Sequence, residues 1–124
     1  MSALQVTLPW PLKELSPNVR AHWTVRSKAA KKYRAACNLL ALEAGLRKGS
    51  VTWEGDIHVW IDFYPPDRRA RDDDNLIAAF KSGRDGLADA LGVDDKRFRI
   101  HPYVMAQVGG MVKVRLTPEP KLPS

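Results

Sequence analysis

Ile57-His58-Val59-Trp60-Ile61-Asp62-Phe63 sets Ile57, Val59, Ile61 and Phe63 against His58, Trp60 and Asp62. Successive side chains of a strand point to opposite faces, so this two-residue period predicts a β-strand over 56–63 buried on one side. Upstream, Ala30, Tyr33, Cys37, Leu40, Ala41 and Ala44 recur at steps of three and four, predicting a helix over about 27–46 with Gly49 as its stop signal. Before it, residues 4–8 read as a short strand closed by Pro9-Trp10-Pro11, and 12–23 as a polar loop containing Ser16-Pro17-Asn18. Downstream, Leu76, Ile77, Phe80, Leu87 and Leu91 form the apolar stripe of a second helix over about 74–91. Segments 99–108 and 111–116 flank Gly109-Gly110 and predict a β-hairpin. The order is β-α-β-α-β-β: one α+β domain over 1–117, a mixed sheet packed with two helices, followed by a flexible Pro-rich tail over 118–124.

The 124 residues carry a formal charge of +6 and a pI near 9.7, unevenly placed. Residues 1–50 hold nine Lys or Arg against Glu14 and Glu43, while 51–124 hold eleven against twelve acids. A basic half suits phosphates and an acidic half suits cations, although many small domains carry such an excess for solubility alone. No apolar run reaches the roughly 18–20 residues that span a bilayer, and the N-terminus lacks a signal-peptide pattern, so the expected setting is the cytoplasm, with no membrane partner. The single cysteine, Cys37, suits a reducing compartment and core filling.

Where the strand at 56–63 gives way to the second helix lies Arg71-Asp72-Asp73-Asp74-Asn75, with a second acidic pair at Asp94-Asp95. One aspartate would serve as a helix cap. Three adjacent carboxylates repel one another, and a bound cation relieves that repulsion. In an extended stretch Asp72 and Asp74 share a side while Asp73 points away, so the pair can converge on one ion and Asp73 is left as bystander or cap. Oxygen-only ligands favour Mg²⁺, with Mn²⁺ as the alternative, and no organic cofactor is called for. Asp74, Ala78, Lys81, Asp85 and Asp89 fall on one face of a continuous helix, placing Lys81 near the acids, either as a charge-stabilising group or as an i,i+4 partner of Asp85. Lys28, Lys31, Lys32 and Arg34 form a basic stripe on the first helix, for phosphates or for solvent alone.

The string 71–76, followed by Asp85-Gly86-Leu87-Ala88-Asp89-Ala90-Leu91-Gly92-Val93-Asp94-Asp95, resembles the RusA-type Holliday junction resolvases of phages and prophages. Pro9-Trp10-Pro11, the Ser16-Pro17-Asn18 loop with Arg20 and His22 after it, the chain length and the element order also match. The resemblance implies a Mg²⁺-dependent endonuclease that works as a homodimer and nicks two opposed strands of a four-way junction in recombination and repair. It implies metal-holding acids at Asp72, Asp74 and Asp95, and DNA or partner contact near Arg20 and His22. The family's lysine four residues after the D-x-D motif is Ala78 here, which leaves Lys81 as the substitute. In that setting Asn75 is expected to orient an acid, and Arg68, Arg69 and Arg71 to grip phosphates, or Arg71 to neutralise the aspartates.

A straight helix from Asp74 to Ala90 would be roughly 24 Å long, too long for Asp95 to rejoin the first acids. Either the helix breaks at Gly83 or Gly86, the preferred reading, or Asp95 serves a twofold-related subunit. His58 and His101 have no ligand spacing and are expected to be structural. Trp10, Trp23, Trp53 and Trp60 are expected mostly to pack, with base stacking as the alternative. Two other functions remain open: a non-catalytic branched-DNA binding or assembly protein, and a general branched-DNA or flap nuclease.

Overall fold

The computed structural model describes residues 4–122, in the order β1 (Leu4–Pro9), α1 (Trp23–Glu43), β2 (Ile57–Tyr64), α2 (Asp73–Ala79), α3 (Lys81–Leu91), β3 (Phe98–Val104) and β4 (Met111–Thr117). Single 3-10 turns lie at Lys13–Leu15 and Asp95–Arg97. The four strands form one mixed sheet in the order β1-β4-β2-β3, with β4 antiparallel to both neighbours and β2 parallel to β3. The fold is α+β in a single small domain, as expected, with three helices rather than two.

The expected hairpin does not form, because β2 lies between β3 and β4. Ile57, Val59, Ile61 and Phe63 are each at most 1% exposed, so β2 is a central strand with partners on both edges. Residues 65–97 take the chain across to a parallel β3, which leaves the other edge of β2 to β4. The glycine pair serves a different turn. Residues 105–110 cross the end of β2, where the Gly109 and Gly110 amides donate to Pro65 O at 2.9 and 3.2 Å. A Cβ on Gly109 would lie 3.1 Å from Tyr64 Cβ, tighter than ordinary contact, so the crossing favours a residue without one.

Both faces of β2 are shielded, against the expectation of one. The helices cover Val59, Ile61 and Phe63, while on the other face His58 and Trp60 are 9% and 6% exposed. Trp60 stacks on His101 with ring centroids 4.0 Å apart and donates its indole N–H to Thr117 Oγ1 at 2.8 Å. His58 Nδ1 and His101 Nε2 share a hydrogen bond of 2.9 Å. In turn Thr117 donates to Glu119 O at 2.6 Å, so the start of the proline-rich tail is tied to this face, while Pro123 and Ser124 lie outside the described residues.

Helix α1 begins four residues earlier than its apolar pattern, because His22 caps it by accepting the Thr24 amide on Nδ1. It ends at Gly45 rather than Gly49. Gly45 adopts φ +95°, and the Leu46 amide returns to Ala41 O at 2.9 Å, burying Leu46. The second predicted helix is broken at Phe80, which ends α2 and opens α3 with φ −87° and ψ −1°. Phe80 is fully buried, edge-on to Tyr33 and Phe63, and the bend lets α2 place Leu76 and α3 place Leu87 and Leu91 on the same core. Gly83 and Gly86, expected as the break, lie inside α3. Their role is close approach to α1, since a Cβ on Gly86 would sit 2.4 Å from Arg34 O.

Candidate functional site

Leaving β2, the chain passes Pro65-Pro66 and folds around Asp67. The Asp67 carboxylate accepts the Arg69 amide at 3.0 Å and pairs with Arg71 at 2.9 Å. The Arg69 amide, and then the two guanidiniums, hold the Asp67 carboxyl at about 2. The Arg71 guanidinium also donates to the carbonyls of Asp67 and Arg69 and lies 5.5 Å from the Trp10 ring centroid. Its side chain is only 14% exposed, so Arg71 is committed to building the turn, and it neutralises Asp67 rather than the acidic run. Arg69 pairs with Asp67 while mostly exposed, and Arg68 is exposed with no ion pair among the described residues.

This turn delivers the acidic run to the start of α2. Asp72 is the cap: Oδ1 accepts the Asp74 amide at 2.9 Å, with an extended backbone at φ −91° and ψ 130°. The sequence pattern left Asp73 as bystander or cap and read the run as extended. Because the helix starts at Asp73, Asp73 and Asp74 are exposed first-turn residues rather than alternating strand positions. Asn75 is half-buried and, with Asp72, lines a cleft of about 500 Å³. Across the cleft stand Ser16, Asn18 and Val19 of the loop before α1. Arg26 pins that loop by donating to Ser16 O and to Val19 O, at 3.3 and 2.6 Å.

Asp95 opens a 3-10 turn that Asp94 caps by accepting the Lys96 amide at 2.9 Å. Lys81 Nζ lies 2.8 Å from Asp85 and 3.3 Å from Asp95, bridging α3 to the second acidic pair. The hydrogen bond to Asp85, assisted by the one to Asp95, raises the Lys81 pKa and keeps it charged, and the same ammonium lowers the Asp95 carboxyl. Lys81 is the first residue of α3, past the break at Phe80, so it does not continue the face of Asp74 and Ala78 along one helix. Lys81 thus has the i,i+4 partner expected of a salt bridge, and it also contacts Asp95. Asp72, Asp74 and Asp95 are not gathered in one place; among the described residues no three His, Cys, Asp or Glu side chains form a metal-holding group.

Lys28, Lys31, Lys32, Arg20 and His22 are exposed on α1 and the loop before it. Arg34 is committed elsewhere, as a fork on Asp89 at 2.7 and 2.9 Å. Two residues quoted in the sequence motifs were given no place at this site: Asn18, which lines the cleft, and Trp10, whose ring lies against Arg71. The proline-tryptophan-proline string marked a chain end for β1, but only the folded turn brings it against residue 71.

An uncharacterized protein of Xylella fastidiosa (strain Temecula1) is 51% identical to this chain over 114 residues, which is 90% of this chain and 74% of that protein. The chain belongs to that protein's family. No family model matches the chain. The relative's name states no activity, so the functional reading rests on the site. Among the described residues no helix is long and apolar enough to cross a membrane.

Proposed function

We propose that this protein is a Mg²⁺-dependent endonuclease of the RusA type, resolving four-way DNA junctions by paired nicks in recombination and repair. The observation that carries the proposal is the pairing of Lys81, the first residue after the break at Phe80, with Asp95. Asp74 and Lys81 stand seven residues apart in sequence, on either side of that break. The donor set also suits a hard cation: Asp72, Asp73 and Asp74 crowd three carboxylates into three residues, and none is in an ion pair among the described residues.

In this reading Asp72, Asp74 and Asp95 hold Mg²⁺, with Mn²⁺ as a substitute, which supplies activation of the attacking water and charge stabilisation at phosphorus. Lys81, held charged by Asp85 and Asp95, offers a proton donor and a positive charge toward the departing oxygen. Asn75 orients Asp72 or Asp74 from within the cleft, Arg68 and Arg69 contact flanking phosphates, and Lys28, Lys31 and Lys32 extend that contact along α1. A twofold dimer matches two symmetric cuts, and the host cytoplasm is the setting.

A second reading, a branched-DNA binder without cleavage, draws on Ala78 in place of a lysine and on the lack of a three-acid group among the described residues. Labelled four-way junction, flap and linear duplex incubated with Mg²⁺ or EDTA decide between them, using wild type and Asp74→Asn. Paired, metal-dependent nicks in the junction that vanish in Asp74→Asn are expected. Cleavage unchanged by that substitution refutes the site, and junction binding without any nicks selects the binder. Preference for the flap selects the general nuclease.

A further inference from the structure

Of the four tryptophans, Trp60 is buried, and Trp10 and Trp53 pack partly against the core, whereas Trp23 is 72% exposed at the first position of α1. The indole lies tilted beside the ring of the capping His22, centroids 5.8 Å apart, and is otherwise left largely in water at the head of a 21-residue helix. Its surroundings carry one sign of charge. Residues 15–42 hold six Lys or Arg and no Asp or Glu. Arg20, Lys28, Lys31 and Lys32 have no carboxylate partner among the described residues. Thr24, Lys28 and Lys32 follow one another at steps of four along the exposed side of α1, starting beside Trp23.

We infer that Trp23 is a stacking platform for an unpaired base of a DNA strand whose phosphates run along the lysines of α1. The inference rests on the nucleic-acid part of the function proposed above and adds what that part lacks, a contact that distinguishes unpaired from paired bases. Cations alone bind any polyanion, and a paired base inside a duplex offers no free face, so an exposed indole beside unneutralised lysines selects strands with accessible bases. The position relative to the cleft supports this. Val19 lines the cleft opposite Asp72, and Arg26 fixes that loop to α1. Four residues, at most about 14 Å of chain, separate Val19 from Trp23. At roughly 3.4 Å per stacked nucleotide, that places the platform within about four nucleotides of the cleft wall.

The test is equilibrium binding in EDTA, so that no cleavage occurs, of the intact protein to a single-stranded oligothymidylate, a four-way junction and a blunt duplex. Tryptophan fluorescence and a labelled oligonucleotide report together. Single strand is expected to quench the wild-type fluorescence, and Trp23→Ala to remove most of that quench. The same variant should weaken single-strand and junction binding about 5- to 150-fold while duplex affinity changes less than about twofold. Trp23→Phe should restore most of the affinity, because a phenyl ring still stacks. Lys28→Gln with Lys31→Gln should weaken all three ligands alike. Equal binding of single strand by wild type and Trp23→Ala overturns the inference, as does parallel loss of duplex and single strand in Trp23→Ala with an unchanged circular dichroism spectrum. A protein that never cuts DNA yet shows the quench loses the nuclease reading and keeps the platform. A nuclease whose Trp23→Ala form binds and cuts normally loses the platform alone.

Discussion

Asp72 combines a structural and a proposed chemical role that two substitutions separate. Asparagine retains an oxygen for the Asp74 amide and removes the charge, whereas alanine removes the cap. Asp72→Ala is expected to lose about 1 kcal/mol in urea unfolding, Asp72→Asn only a few tenths, and both to lose cleavage. His101 supplies a pH dependence. Burial, and then His58, lower its pKa in the fold, while in the unfolded chain it titrates near 6.5. Below about 6.5 the unfolded state therefore binds more protons than the folded one, so this contribution is intact at pH 7.5 and is lost as pH falls. Thermal unfolding at pH 7.5 and 5.5 should show a lower midpoint at the acidic pH, and His101→Gln should flatten the difference. The run itself was legible at residue level as acids at a helix start, but which aspartate caps depended on where the first helical turn closed. Arg71 was equally ambiguous, since its partner Asp67 becomes visible only once the turn is folded.

Among the elements, the bend between α2 and α3 positions Lys81. Phe80 fills the space between Tyr33 and Phe63, and Phe80→Ala should cost about 3–5 kcal/mol in urea denaturation. Gly86→Ala should cost at least about 1–3 kcal/mol, because the obstructing atom is the Arg34 carbonyl and backbone cannot step aside as a side chain does. The bridge from Lys81 to Asp95 makes a prediction independent of catalysis. Its ammonium lowers the Asp95 carboxyl, so Lys81→Ala should move the Asp95 titration, followed by NMR of the side-chain carboxyl, upward toward the ordinary carboxylate value. An unmoved titration would remove the bridge. The periodicity of 74–91 foretold helix but not its break, because both halves keep the same spacing and the interruption is forced by how Phe80 seats in the core. Gly83 and Gly86 read as breakers by propensity, yet tertiary contact uses them for helix crossing.

At the scale of the molecule, charge is divided between a basic first half and a balanced second half that holds the acidic run at the start of α2. If Lys28, Lys31 and Lys32 lie along phosphates, junction binding falls steeply with salt. The triple glutamine variant should reduce the slope of log K against log salt by about 2–3, at roughly 0.9 for each phosphate that is no longer neutralised. An unchanged slope would return the stripe to solvent.

What this sequence determined by itself is local: the strand read over 56–63, the existence of helices on either side, the α+β class, and an acidic run at a helix start inside a basic chain. These follow from side-chain period and composition, which need no partner segment. Strand order, the exposure that separates Trp23 from the other three tryptophans, the break at Phe80 and the pairing of Lys81 with Asp95 were decided only by the tertiary structure. The physical reason is that each depends on which distant segment occupies the neighbouring volume. A Gly-Gly between two alternating runs reads locally as a hairpin, but a central β2 that must be covered on both edges outweighs that local preference.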